Sequence, residues 1–176
     1  SLGLVGSEMC IRDRYYTKII EYFLNLAKSH EAFMHDVGNR QTFFAGDFDD
    51  FKRGEIGVKE GQMIMIADYD PSGIGRAISS YVINETQKNE QTLRFNLAIY
   101  KNCDINKTME SVNALDKLYE VAHSIIEIML ENRTEDCYYR DLLLHMEPEV
   151  MITRAPVIGN SRFVGLVLSF NFKFYL

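Results

Sequence analysis

The sequence predicts an α+β domain, in which a mainly antiparallel sheet carries an N-terminal helix and one long helix packed on one face. Two segments of the 176-residue chain support this most strongly. From Lys107 to Glu131, Val112, Leu115, Tyr119, Ala122, Ile126 and Met129 recur in steps of three and four, the period of one helical face, and Leu118, Ile125 and Ile128 widen that stripe. From Arg162 to Leu176, Val164, Leu166, Leu168, Phe170, Phe172, Phe174 and Leu176 occupy every second position, the period of one strand face. The overall order of helix, strands, long helix and strands favours helices gathered on one side of a sheet.

The elements follow in chain order. Ser1–Arg14 reads SLGLVGSEMCIRDR and has no clear period. Within it, LVGSEMCIRD resembles the conceptual translation of a transposon-type sequencing adaptor. Residues 1–14 are therefore expected to be a non-native artefactual segment, residues 15–176 the single α+β domain, and native residues before Tyr15 to be unseen. Tyr15 to about His30 predicts an amphipathic helix through Ile19, Ile20, Phe23, Leu24, Leu26 and Ala27. Gln41–Ala45 predicts a short strand, and the apolar run Gln62–Ala67 a buried one. Phe51–Gly61 and Asp68–Gly75 carry the Gly, Pro and Asp of loops. Ala77–Asn89 fits a helical turn or a strand end equally. A long loop is expected over residues 68–90. In Gln91–Lys101, Leu93, Phe95, Leu97 and Ile99 alternate with Arg94, Asn96, Ala98 and Tyr100, as for a sheet covered on one side. Asp104 or Asn106 can cap the long helix. Asp136–Met146 predicts a short helix or irregular strand, Val150–Val157 a strand, and Ile158–Ser161 a turn.

Composition bounds the function. Hydrophobic residues make up 47% of the chain and charged residues 25%, enough for a packed core. A net charge of −6 argues against a broad nucleic-acid-binding face. No apolar run approaches the roughly 20 residues of a membrane-spanning helix, and no basic-then-apolar secretory signal opens the chain. Cys10, Cys103 and Cys137 form no zinc-type spacing with His30, His35, His123 or His145, and a reduced cytosolic compartment is the natural reading.

The most chemical-looking stretch is Asp68-Tyr-Asp-Pro-Ser-Gly73, where two carboxylates follow a buried strand. Hard oxygen ligands of this kind suit Mg²⁺. As a calcium loop it places Asp68, Asp70, Ser72 and Gly73 correctly, but Ser79 stands where a bidentate Glu is needed. It also resembles the DxDPSG-like loop of Toprim domains. That resemblance covers only Met63–Gly75, and the third acid it implies is missing, since Glu55 and Glu60 lie in a Gly-rich loop. Asp, Pro, Ser and Gly are also the residues that a solvated turn demands. The acidic run Asp47, Asp49, Asp50 reads as a solvated loop that could approach Asp68 and Asp70. Gly73–Gly75 lacks the rest of a dinucleotide fingerprint, and no Ser lies in a nucleophile elbow.

The pieces IIEYFLNLAKSH, QMIMIADYD, LRFNLAIYKN, MESVNALDKLYEVAHSIIEIML and RFVGLVLSFNFKF occur in the order of a phage tail-terminator or tail-completion protein. The chain resembles that family across most of Tyr15–Leu176, in organisation rather than in invariant residues. The resemblance implies a non-enzymatic virion protein of the tail or head–tail junction. Such a protein self-associates into a ring, a hexamer, beside other tail or neck proteins, after assembly in the bacterial host cytoplasm. It implies no cofactor, no catalytic residue, no membrane and no sequence-specific nucleic acid. The alternative is a Toprim-like Mg-dependent nucleic-acid enzyme using Asp68 and Asp70. It requires a helix over Gly75–Gln87 and a parallel sheet, where the structural reading requires Leu93–Lys101 antiparallel to the preceding strand.

Overall fold

In a computed structural model of the chain, helix α1 spans Gly3–Ser29, and strands β1 (Phe43–Ala45), β2 (Met63–Ala67), β3 (Ser79–Val82) and β4 (Glu90–Asn102) follow. Helix α2 (Thr108–Thr134), the short helix α3 (Arg140–Leu144) and strands β5 (Met151–Arg154) and β6 (Phe163–Tyr175) complete the chain. The structure describes residues 3–45, 58–70, 77, 79–83, 89–135, 137–158 and 162–175, with side chains from residue 15 onward. The α+β class is as the sequence predicts. Helix α1 runs back through residues 3–14, beyond the start expected at Tyr15.

Strands β4 and β6 form the spine. They pair antiparallel over their whole length, from Glu90 opposite Tyr175 to Asn102 opposite Phe163. Strand β2 lies antiparallel to the second half of β4, and β3 antiparallel to its first half. Strand β5 pairs antiparallel with β6, and β1 lies parallel to β2. The sheet order is β1-β2-β4-β6-β5, with β3 beside β4. Residues 79–82 are thus strand, which resolves the ambiguity at Ala77–Asn89 and corrects the expectation of one long loop from 68 to 90.

The apolar alternation of β4 and β6 builds the main core. Leu93, Phe95, Leu97 and Ile99 meet Leu166, Leu168, Phe170 and Phe172 beneath Phe23, Leu26, Leu118 and Ile125 of the helices. Phe23 stacks on Phe95 with ring centroids 5.4 Å apart and planes at 9°, and Phe170 lies 5.7 Å away. Each ring is essentially without solvent exposure.

The sheet is not covered on one side only. At the other face Ile64, Ile66, Ala98, Tyr100, Phe163 and Val167 gather with Phe44, Val58, Tyr69 and Ala155 in a second, smaller core. Ala98 and Tyr100, read as part of a mixed face, are fully buried. The reason lies in chain segments remote in sequence, since Val58, Tyr69 and Ala155 come from connections that fold across the sheet. Gly165 makes this possible. It sits opposite Tyr100 in the register, and a Cβ there would lie 2.4 Å from Tyr100 Cδ1 and 2.8 Å from the carbonyl oxygen of Ile99. The absent side chain is the space the Tyr100 ring occupies.

Helix α2 buries one side of the broad stripe read from the sequence, Leu118, Ala122, Ile125 and Met129, and leaves the other side outward. Its buried residues are Ala114, Leu118, Val121, Ala122, Ile125 and Met129, while Val112 and Tyr119 face outward. Both sides have helical period, so periodicity alone cannot choose between them; contact with α1 and the sheet does. The helix starts after Lys107, without a side-chain cap from Asp104 or Asn106. Asp104 instead accepts a hydrogen bond from the backbone N–H of Asn106 at 3.1 Å.

Candidate functional site

Asp68 stands where β2 leaves the sheet. Its φ of +56° lies in the left-handed region, which Asp tolerates better than most residues, and it turns the chain abruptly after Ala67. The turn puts successive residues to different uses. The Asp68 carboxylate accepts a hydrogen bond from the Tyr16 hydroxyl of α1. Tyr69 drops into the second core, its N–H bonded to the Asn96 carbonyl at 3.0 Å and its carbonyl to the Asn96 side chain at 3.2 Å. Its hydroxyl lies 2.8 Å from that of Tyr100, which also donates to the Pro156 carbonyl at 3.0 Å. Burial, reinforced by Tyr69, pushes the Tyr100 phenol far above its ordinary range. Asp68 and Tyr69 are therefore pinned to α1 and β4.

This arrangement uses Asp68 as a structural acceptor. Tyr16→Phe should cost about 1 kcal/mol, the usual scale for a half-buried bond to a charged acceptor discounted for solvent, and urea unfolding would measure it. Pro71, Ser72 and Gly73, the run Asp47, Asp49 and Asp50, and Glu55 lie outside the described residues. Among the described residues, no group of three or more His, Cys, Asp or Glu side chains could hold a metal ion. Of the helix expected over Gly75–Gln87 for a Toprim-like enzyme, residues 79–82 are strand β3, and β2 runs antiparallel to β4.

The sheet face opposite the helices changes character along β4 and β6. Beyond the second core it carries Arg94, Asn96, Ser169 and Asn171, with Ser169 donating to Asn96 across the strands at 2.9 Å. Glu149 and Met151 wall a shallow cavity of about 400 Å³ over these residues. At its far end Lys173 reaches both Glu147 (3.0 Å) and Glu90 (3.4 Å). Such a surface can hydrogen-bond a polar neighbour; it aligns no nucleophile with a base.

The histidines, which looked scattered in the sequence, have structural work. His30 Nδ1 accepts the N–H of Ala32 at 3.1 Å, so the proton sits on Nε2, which lies 3.2 Å from the Ser124 hydroxyl. His30 is thus a donor to Ser124, the reverse of a general base. His35 Nδ1 accepts the N–H groups of Thr42 and Phe43 at 3.1 and 3.2 Å, and its Nε2 lies 3.4 Å from Asp36. Burial depresses both imidazoles below their ordinary value, with Asp36 opposing at His35 and Glu31 at His30. A histidine between two turn segments has no spacing signature, so the sequence did not reveal this pairing. His123 is exposed on α2, as expected.

The remaining feature is the outer flank of α2. Met109, Val112, Tyr119 and Leu130 are 67%, 42%, 45% and 49% exposed. At about 100° per residue they fall within roughly 80° of one another. Ser124 and Asn132 mark the opposite flank by bonding His30 and Tyr22 of α1. Asp116, His123 and Glu127 are exposed in the same arc, so folding of one chain leaves a flank of mixed apolar and charged residues facing water. Among the described residues, no helix is long and apolar enough to cross a membrane. The chain matches no protein-family model, and it matches no curated protein.

Proposed function

We propose that this chain is a structural, non-enzymatic virion protein of a phage tail or head–tail junction, similar to a tail terminator, that assembles as a ring. The strip along α2 carries the reading. Met109, Val112, Tyr119 and Leu130, interleaved with Asp116, His123 and Glu127, give the flank the mixed apolar and polar character of a non-obligate subunit interface. In this reading the flank meets a different surface on the next copy, and head-to-tail contacts whose rotation closes form a ring. The helix, strand, long-helix, strand order agrees with the tail-terminator resemblance. The net charge of −6 suits the wall of a channel that passes DNA without gripping it. In this reading the partners are further copies, a hexamer, and neighbouring tail or neck proteins.

Sedimentation velocity on the wild type beside Tyr119→Asp tests the reading. A carboxylate placed in a desolvated interface should weaken association by tenfold or more, on the order of 1.4 kcal/mol or above, while the circular dichroism spectrum stays unchanged. Identical sedimentation of the two proteins would count against the strip as interface. Mg²⁺ binding lost in Asp68→Ala and Asp70→Ala would instead support the Toprim-like alternative.

A further inference from the structure

We propose that the connection from His30 to Phe43 is an acid-sensitive clasp, in which protonation of His35 releases β1 and uncovers the edge of β2. The geometry begins with a single nitrogen. His35 Nδ1 accepts two backbone N–H groups, those of Thr42 (3.1 Å) and Phe43 (3.2 Å), and lies 3.5 Å from the Thr42 hydroxyl. The ring is 7% exposed, and the backbone N–H of His35 is fixed to the Ala27 carbonyl of α1 at 2.9 Å. A proton on Nδ1 would replace the acceptor by a donor aimed at two donors, with little room to turn away.

The segment held this way is poised to open. Met34, Asp36, Gly38 and Asn39 have φ of 48°, 64°, 61° and 60°, and three of the four are not glycine. Asp, Asn and Gly tolerate the left-handed region, but at Met34 it persists only where surrounding contacts enforce it. Strand β1 adds little restraint, since it pairs with β2 at three positions, Phe43 with Met65 through Ala45 with Ala67. The Thr42 carbonyl accepts the Met65 N–H at 2.7 Å, so loss of the clasp reaches β2 directly. Strand β2 is buried at all five residues, and its edge is exposed once β1 leaves.

The charges acting on His35 among the described residues are Asp36, which favours imidazolium, and Lys28 of α1, which opposes it. Those two pair with each other at 3.2 Å, and the chain entering β1 presents the uncharged Thr42 and Phe43. Burial is the largest influence and opposes the charge, so the folded value lies below 6.5. The clasp is therefore intact above 6.5 and is lost as pH falls through the lower folded-state value. His30, depressed in the same sense, ties the start of the connection to Ser124 of α2.

Amide hydrogen exchange on the intact chain tests this between about pH 7.5 and pH 5, the range of histidine titration. Protection of Thr42, Phe43 and Met65, corrected for intrinsic rates, should fall about tenfold for each unit between 6.5 and the folded-state value. Leu97 and Leu168 in the spine should hold theirs. In His35→Asn, whose side-chain oxygen can accept near the position of Nδ1 and does not titrate, the fall should be absent. Unchanged protection in the wild type, an equal fall in His35→Asn, or a parallel loss at Leu97 and Leu168 would each overturn the clasp. Should the Asn variant not fold, the wild type still decides. Its fall must level off at the pH where the His35 ring titrates by NMR, and a separation of the two overturns the proposal.

Discussion

Replacing Gly165 by alanine is expected to destabilise the protein by about 3 kcal/mol, at the upper end of overpacking costs. The added Cβ would meet two Tyr100 ring carbons at 2.4 and 2.6 Å and the Ile99 carbonyl oxygen at 2.8 Å. The ring cannot simply rotate, because its hydroxyl is held by Tyr69 and the Pro156 carbonyl and its body is buried among Ala98, Phe163 and Val167. The carbonyl belongs to the strand spine and moves only if the β4–β6 register yields. Thermal unfolding should show the loss as a melting temperature lower by about 6–12 °C for a domain of this size. Replacing Tyr100 by leucine in the same protein should recover part of it, because the ring is the principal obstacle.

Phe95→Ala is expected to cost about 3–5 kcal/mol, the range for removing a buried aromatic side chain from a core that cannot fully collapse. Phe95 is fully buried in the middle of β4 and holds the stacked face of Phe23, so the change loosens the attachment of α1 as well as the sheet. Equilibrium unfolding in urea measures it. A double-mutant cycle with Phe23→Ala should leave a coupling of about 0.5–1.5 kcal/mol, the part belonging to the ring pair itself. A coupling near zero would show that α1 is held by the rest of its apolar face.

Strong, long-range alternation made β6 legible in the sequence, because six of its residues fall on one buried face and a one-residue slip would turn them all away from the main core. Strand β2 was legible for a different reason, as a short apolar run bounded by turn residues. The face of α2 was legible in part: Leu118, Ala122, Ile125 and Met129 lay in the predicted stripe, but Val112 and Tyr119 keep the same period as Ala114 and Val121 and only packing distinguishes them. The second core was hidden because it joins Tyr69 and Tyr100 of neighbouring segments to Ala155 and Val167 far along the chain. Of the candidate site, the Asp68–Gly73 stretch read as a turn, and the chain does turn at Asp68, where φ is +56°. The hydrogen bond of Asp68 to Tyr16, 52 residues away, has no trace in local pattern, and neither has the pairing of His35 with Thr42 and Phe43.

Under the proposed ring assembly, this chain is one subunit of several. Multi-angle light scattering of the wild type across a hundredfold range of concentration, about two decades, tests it most directly, because a closed ring keeps one mass while an open chain of subunits keeps growing. The expected result is a single species near six times the mass of one chain, constant over that range. A monomer at the highest concentration would contradict it.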